Sequence, residues 1–277
     1  MSEPRLIVAA TPIGNLGDIS ERLRTSLLEA DVVYAEDTRR TAKLLAHVGT
    51  SPRVRSLFVG NENSRSVELV EDVAAGLKVV LVSDAGMPTV SDPGIEAVRA
   101  VRRAGYGVTV IPGPSAVTMA VALSGFDASR FVFEGFLPRK GKARKLRLAA
   151  IAADGRPVVL FVSPHRLLDD LSDLHEVLEP ERQVAIAREM TKLHEELWTG
   201  TIEEALDHWT GPIKGELTVV IDAAPPATFS EAEAIEMALE IVENGSSPSD
   251  AARKIADSTG VAKRVIYQAL LDSQASS

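Results

Sequence analysis

Apolar positions in the first 114 residues alternate between two rhythms. Short β-branched runs at 6–10, 32–35, 79–82 and 108–111 are continuous rather than alternating. Runs of that length and texture fit strands buried on both faces. Between them lie stretches with helical spacing. Ile19, Leu23 and Leu27 define one apolar face, and Asp18 with Glu21 three residues later reads as a capping box. Residues 95–104 give a further helix. Strand and helix in alternation predict a parallel sheet with right-handed crossovers.

The second half has a different pattern. Strand candidates at 131–133, 158–162, 184–187, 193–198 and 217–221 are closely spaced, and several have short connections. Short connections favour antiparallel pairing, so this half predicts a mixed sheet. Pro225-Pro226 ends it. Beyond, Ala232, Ile235, Leu239 and Val242 share a helix face, Ser249 caps a helix over 250–258, Gly260 breaks it, and 261–271 is a third helix. The fold class is therefore α/β. An N-terminal α/β domain with a parallel sheet spans 1–114, a C-terminal α/β domain with a mixed sheet spans 115–227, and a small helical domain spans 228–277. The last three helices have a helix-turn-helix outline, with Lys254, Lys263 and Arg264 as cations.

Composition narrows the chemistry. A chain of 277 residues, 45% hydrophobic and 25% charged, reads as an ordinary soluble protein, with no leader or membrane span in view and a cytoplasmic setting expected. Zero cysteines excludes a disulfide framework, a thiolate metal site and a cysteine nucleophile. His47, His175, His194 and His208 show no metal-ligand spacing, and no metal is expected. A net charge of −9 argues against large-area, non-specific nucleic-acid binding but leaves room for a local basic site.

Glycine and proline fall where the strands end. The first run leads into Thr-Pro-Ile-Gly-Asn, the second into Glu-Asp-Thr-Arg, the third into Ser-Asp-Ala-Gly-Met-Pro-Thr-Val-Ser-Asp-Pro-Gly and the fourth into Pro-Gly-Pro-Ser-Ala. In an open parallel sheet all four loops lie outside the carboxyl edge, where ligands bind. Glycine permits close approach of the backbone. The loops carry no lysine, which disfavours a polyphosphate, whereas Asp84 and Asp92 suit a cationic or hydroxyl-rich ligand.

The segments TPIGNLGDI, AEDTRRT, VSDAGMPTVSDPG, PGPSA, FEGFLPRK, SPHRL and AREMTK occur in that order. Together they resemble the tetrapyrrole-methylase superfamily, and within it the branch that methylates the ribose 2′-hydroxyl of a cytidine in the decoding region of 16S ribosomal RNA. The resemblance covers about residues 6–222. It implies a homodimer that binds S-adenosylmethionine in a cleft between two α/β domains and takes 16S rRNA or the small ribosomal subunit as substrate. It places Pro12, Gly14, Ser83, Asp84, Ala85, Gly86, Met87, Pro88, Thr89, Val90, Asp92, Ser115 and Ala116 at the cofactor. From the second domain it adds Phe161, Val162, Ser163, Ala187, Arg188, Gly215 and Glu216. The corrin-ring methylases have a glycine-rich first loop, and Thr-Pro-Ile-Gly-Asn favours the RNA branch.

Methyl transfer from a sulfonium to a hydroxyl needs positioning and a proton acceptor, not a metal. The carboxylates on matching motifs are Glu36, Asp37 and Glu189, and His165 is the histidine candidate. Asp37, at a strand end, is the leading candidate for base or hydroxyl-orienting group; the alternative is that it caps the helix starting near Thr38. The alternative for Glu189 is pairing with Arg188 or Arg39, and for His165 a capping role. The run 139–147 holds six cations in nine residues. Arg139, Lys140, Lys142, Arg144 and Lys145, extended by Arg39, are expected to contact RNA phosphates. Three positions depart from the family pattern. SLFVGNENS lacks a histidine-containing segment around Val59-Gly60, Val162 stands where a glutamate is common, and Met87 replaces a threonine. The competing assignment is a methylase of a small tetrapyrrole-like molecule, which has no need of the basic run.

Overall fold

The structure, a computed structural model, describes residues 5–225 and 229–275. The chain divides into two compact units, 1–223 and 224–277. The boundary expected at 227 falls among residues 226–228, outside the described residues.

The first unit carries two five-stranded sheets. Strands β1 (Arg5–Ala9), β2 (Val32–Ala35), β3 (Arg53–Ser56), β4 (Val79–Val82) and β5 (Gly107–Ile111) are all parallel, in the order β3-β2-β4-β1-β5. The central strands β2 and β4 are buried along their whole length, as their unbroken apolar runs require. The edge strand β3 was not expected. Its sequence, Arg-Val-Arg-Ser, has no apolar rhythm, and pairing with β2 is what makes it a strand.

Helices cover both faces of this sheet. Helix α1 (Glu21–Leu28) begins at Ser20, whose Oγ accepts from the Leu23 amide at 3.1 Å. Asp18 instead ends a 3-10 turn (Leu16–Asp18), and Ile19 stays extended between the two, so the capping box expected at Asp18 does not form. Helices α2 (Thr38–Val48), α3 (Glu62–Ala74) and α4 (Ile95–Arg103) follow. Leu6, Leu69, Leu81 and Val101 pack together on one side of the sheet. Leu23, Leu27, Leu45 and Val80 pack on the other. Each fully buried leucine contributes about 2 kcal/mol.

The second sheet has the order β6-β7-β10-β8-β9. It comprises β6 (Val132–Phe136), β7 (Val158–Val162), β8 (Gln183–Arg188), β9 (Glu196–Thr201) and β10 (Leu217–Ile221). Only β6 and β7 pair in parallel, which makes the sheet mixed, as its short connections suggested. Strand β9 starts later than expected because Leu193 is 92% exposed in the preceding turn. Helix α5 (Ala116–Ser124) connects the sheets. Its Val117 and Ala120 pack with Ile13 from the loop after β1 and with Val159, Ala185 and Val220 of the second sheet.

Helix α6 (Lys142–Ala153) follows β6, α7 (Leu167–His175) precedes β8, and α8 (Ile202–His208) follows β9. Arg144 does not belong to the basic surface expected of it. It is 5% exposed, with Nη2 donating to Asp170 at 2.7 Å and Nη1 to the Pro138 carbonyl at 3.0 Å, and Nε bonds Asp173. Asp170 is itself 4% exposed, so Arg144 ties α6 to α7.

The second unit holds α9 (Glu231–Glu243), α10 (Pro248–Thr259) and α11 (Lys263–Ala275). Ala234, Ala238, Ala251 and Ala252 pack with Ile255, Ile266 and Leu270. Ser247, not Ser249, caps α10, and Gly260 ends it at φ 74. Among the described residues no helix is long and apolar enough to cross a membrane.

Arg144→Ala takes from buried Asp170 its closer partner, leaving only Arg166 at 3.2 Å, and is expected to lower unfolding free energy by about 2 kcal/mol. Lys145→Ala, one residue on and exposed, is expected to change it by less than about 0.5 kcal/mol. Urea midpoints of the two variants test the contrast.

Candidate active site

Because β1, β2, β4 and β5 are parallel, their carboxyl ends share one edge. The loop after β1 and the loop after β4 are fastened there. Thr11 and Gly86 exchange backbone hydrogen bonds at 2.9 and 3.0 Å. The Ser83 hydroxyl donates to the Gly86 carbonyl at 3.0 Å, and the Thr11 hydroxyl donates to the Ser83 carbonyl at 3.2 Å. Gly86 sits at φ 78, and a Cβ there would lie 3.5 Å from Ile13 and 3.7 Å from the Pro114 carbonyl. Thr89 (φ 75) and Ser91 (φ 63) also adopt left-handed backbone, at a cost of about 1–3 kcal/mol each. Glu62 holds the far end of this loop. Its Oε1 accepts the amides of Gly94 and Glu96, both at 2.8 Å, and so caps α4, whose own N-cap is a glycine.

A cavity of about 310 Å³ opens between this edge and the second sheet. Of the residues expected at the cofactor, Ala85, Gly86, Met87, Val90, Asp92, Ser115, Ala116, Phe161, Val162, Ser163 and Glu216 line it. Pro12, Ser83 and Asp84 line a neighbouring cavity of about 240 Å³. Gly14, Pro88, Thr89, Ala187, Arg188 and Gly215 line neither. Gly14 and Gly215 act one layer back: a Cβ on Gly14 would collide with Lys192, and one on Gly215 with Glu189. Arg188 is held by Glu196 at 2.7 Å. Phe136, Ile13, Ser91, Val117, Pro164, Leu217 and Thr218 also line the larger cavity and were not singled out from the sequence. Phe136 lies inside the quoted FEGFLPRK motif; the strand-end signal did not extend to it.

The lining suits a ligand with a flat apolar part, hydrogen-bonding edges and positive charge. Phe136 and Phe161, with ring centroids 5.7 Å apart, and the apolar side chains of Val90, Val117 and Leu217 provide flat and greasy walls. Asp92 and Glu216 add negative charge. Among the described residues no cluster could hold a metal ion.

The carboxylates divide into two kinds. Asp92 is pushed up to about 6, first by burial and then by the charge of Glu36, with Asp84 adding to it against a Ser83 hydrogen bond. Glu36 is also raised, by burial first and then by Asp84, with Arg40 opposing. Glu36 and Asp92 therefore both resist ionisation, through burial first and neighbouring negative charge second. Asp37 is the opposite case. Its Oδ1 accepts from the Arg39 amide at 2.8 Å, its Oδ2 pairs with the Arg39 guanidinium at 2.9 Å, and these bonds hold its carboxyl down at about 2. It is the N-cap of α2. Glu189 bonds Lys192 at 2.7 Å and the Glu216 amide at 2.9 Å, in place of the partners Arg188 and Arg39. Lys192 also reaches Glu216 at 3.0 Å, so it steadies a carboxylate of the cavity lining. His165 is exposed within a 3-10 turn (Pro164–Arg166) and does not occupy a cap position.

Residues 5–206 match the family model for tetrapyrrole (corrin/porphyrin) methylases. A Mycobacterium tuberculosis protein named ribosomal RNA small subunit methyltransferase I is 45% identical over 99% of this chain and 97% of its own length. A Synechocystis protein of the same name is 41% identical over 98% of both chains. The chain belongs to the tetrapyrrole methylase family. Its place is among the methyltransferases carrying that ribosomal RNA name. A Thermotoga maritima methylase of that name, 47% identical, is covered over 97% of its length by 78% of this chain. Solved methylase structures share the fold at low identity. The methyltransferase CobJ aligns with TM-score 0.61 at 20% identity over 83% of this chain and 98% of that one. Diphthine synthase aligns with TM-score 0.62 at 20% identity over 79% and 89%.

Raising the pKa of an acid on folding means that the native state binds the proton more tightly than the unfolded chain. Stability is then lost as pH rises from about 4 to about 6, the window between the ordinary and shifted values of Asp92. Asp92→Asn removes that loss, and the variant is expected to melt a few degrees higher than wild type at pH 7.5 and no higher at pH 4. Calorimetric melts at the two pH values check this.

Proposed function

We propose that the chain transfers a methyl group from S-adenosylmethionine to the 2′-hydroxyl of a cytidine in the decoding region of 16S rRNA, as a cytoplasmic homodimer. The observation that carries the reading is the near full-length similarity to proteins named ribosomal RNA small subunit methyltransferase I. The homodimer rests on the resemblance and the cytoplasmic setting on the composition of the chain.

The larger cavity fits this cofactor. Phe161, Phe136 and Val90 would hold its flat base, the backbone at Gly86 and Ala116 its polar edges, and Asp92 would lie near its positive charge. When bound, S-adenosylmethionine supplies a methyl group on a sulfonium that leaves as a neutral thioether. The residues of the chain then have two tasks. They bring the ribose hydroxyl into line, and they accept its proton. Asp92, pushed up to about 6, and Glu36, raised by burial, are better proton acceptors than Asp37, which is held down at about 2. Arg139, Lys140, Lys142 and Lys145 are exposed and would meet RNA phosphates. Arg39 is exposed too, though its guanidinium is already engaged by Asp37. The basic segment also favours RNA over a small tetrapyrrole-like substrate.

Wild-type protein with labelled methyl donor and small ribosomal subunits from a strain lacking the enzyme is expected to label one cytidine ribose, located by mass mapping. Donor binding with no ribose methylation would remove the RNA reading. Asp92→Asn and Glu36→Gln are expected to lower kcat by about 10²-fold or more, and Asp37→Asn by a few-fold at most. The rate should rise with pH through about 6, as Asp92 loses its proton, and Asp92→Asn should lose that limb.

A further inference from the structure

The segment 56–64 carries the Val59-Gly60 departure from the family pattern, and none of its residues lines either cavity. It leaves β3 and turns into α3. Asn61 closes that turn. Its Oδ1 accepts the Phe58 amide at 2.8 Å, its Nδ2 donates to the Ser56 carbonyl at 3.2 Å, and its own amide donates to the Phe58 carbonyl at 2.9 Å. The Asn61 side chain is thus committed to the turn and makes no cap bond to α3. The residue that this turn delivers at the first position of α3 is Glu62.

Glu62 works on a different element. Its Oε1 alone receives the amides of Gly94 and Glu96, both at 2.8 Å. Gly94 has little room to shift. It sits at φ 125, and a Cβ there would lie 2.9 Å from Leu81 and 3.4 Å from Thr89. The loop after β4 is therefore pinned at two points, by Thr11 at Gly86 and by Glu62 at Gly94. Between the pins the backbone makes one long hydrogen bond to itself, from the Val90 amide to the Met87 carbonyl at 3.4 Å. That same stretch holds the left-handed Thr89 and Ser91, and it supplies Val90, Ser91 and Asp92 to the larger cavity. A strained segment keeps its shape only where its surroundings over-determine it. At the Asp92 end, two residues from Gly94, Glu62 provides that constraint.

Resting on the methyltransferase reading above, we propose that Glu62, aimed by Asn61, is a positioning residue for methyl transfer: through the Gly94 amide it sets where Val90 and Asp92 stand in the donor cavity. Glu62 lines neither cavity and acts only through the loop. Asp92 reports its action. Burial and the negative charges of Glu36 and Asp84 act on Asp92 in one direction and the Ser83 hydroxyl in the other, Arg40 stands against Asp84, and Glu216 lines the same cavity. All these groups remain when Glu62 is removed. A released loop end then gives Asp92 more water with unchanged neighbours, and its carboxyl ionises more readily.

The test compares Glu62→Ala, Glu62→Gln and Asn61→Ala in the full chain, with Ser20→Ala as a control. Ser20 caps α1 and lines neither cavity, so its loss lowers the melting temperature without touching the loop. Calorimetry gives the S-adenosylmethionine Kd, and steady-state kinetics on small ribosomal subunits give kcat and its pH dependence. Glu62→Ala is expected to weaken donor binding by about tenfold and lower kcat by about tenfold. It is also expected to move the rising limb of the rate profile from about 6 toward the ordinary aspartate value of 3.8. Glu62→Gln keeps an oxygen in place for both amides and is expected to stay within about twofold of wild type, with the limb unmoved. Asn61→Ala, which leaves the carboxylate but loosens its aim, should weaken donor binding by about threefold. Ser20→Ala should melt a few degrees lower, as Glu62→Ala does, and change neither donor Kd nor the limb. A Glu62→Ala protein that melts lower yet keeps the donor Kd and the limb would reduce Glu62 to a helix cap and overturn the proposal. Equal losses in Glu62→Gln, or in Ser20→Ala, would overturn it as well. Wild-type protein that binds the donor and methylates no RNA would refute the reading on which the proposal rests, and the donor Kd of Glu62→Ala against Glu62→Gln would still decide whether Glu62 positions the loop.

Discussion

Two backbone hydrogen bonds between Thr11 and Gly86 determine where every other group of the site can be. They join loops that leave adjacent parallel strands, and so turn two separate strand ends into one wall. The wall needs a residue free to take φ 78 with Ile13 and the Pro114 carbonyl close by, which is why glycine occupies position 86. The strained residues Thr89 and Ser91 follow at once, and Glu62 secures the end of the loop from a different helix. The energy stored in this loop is offset by the buried cores on both faces of the sheet, where Leu81 and Val80 of β4 anchor its start.

The same constraint shapes the electrostatics. Burial, and the crowding of Glu36 and Asp92 with Asp84 around the wall, raises the carboxyls of Glu36 and Asp92. That arrangement disfavours stability at neutral pH and favours proton acceptance, a common trade at reacting centres. The site's other carboxylates are neutralised. Asp37 is spent on Arg39 and the start of α2, and Glu189 on Lys192. Burial and pairing, more than residue type, separate the carboxylates that are raised from those that are held by cations.

Much of this was legible in the sequence. The runs at 32–35, 79–82, 158–162 and 217–221 are strands with those bounds, because buried strands must be continuously apolar. The strand-end loops disclosed one side of the larger cavity, because glycine and proline turns in a parallel sheet collect at one edge. What the sequence hid depends on partners distant in the chain. β3 becomes a strand through β2, Arg144 is buried by Asp170 and Asp173, and the role of Glu62 appears only once α4 lies beside it. Asp37 was favoured from a motif that shows position and not ionisation, and its pairing with Arg39 appears only in the structure. The family assignment was open to sequence because ordered motifs survive, whereas solved methylases near 20% identity share the fold alone.

The central claim is that the cavity walled by Gly86 is the methyl-donor site. Calorimetric titration of S-adenosylmethionine into wild-type protein and into Gly86→Val, both with wild-type far-UV circular dichroism, tests it most directly. The account predicts one donor site per chain in wild type and an affinity at least about tenfold weaker in the variant, whose branched side chain cannot relax at that φ. Equal affinity in the two proteins, or no binding by the wild type, would contradict it.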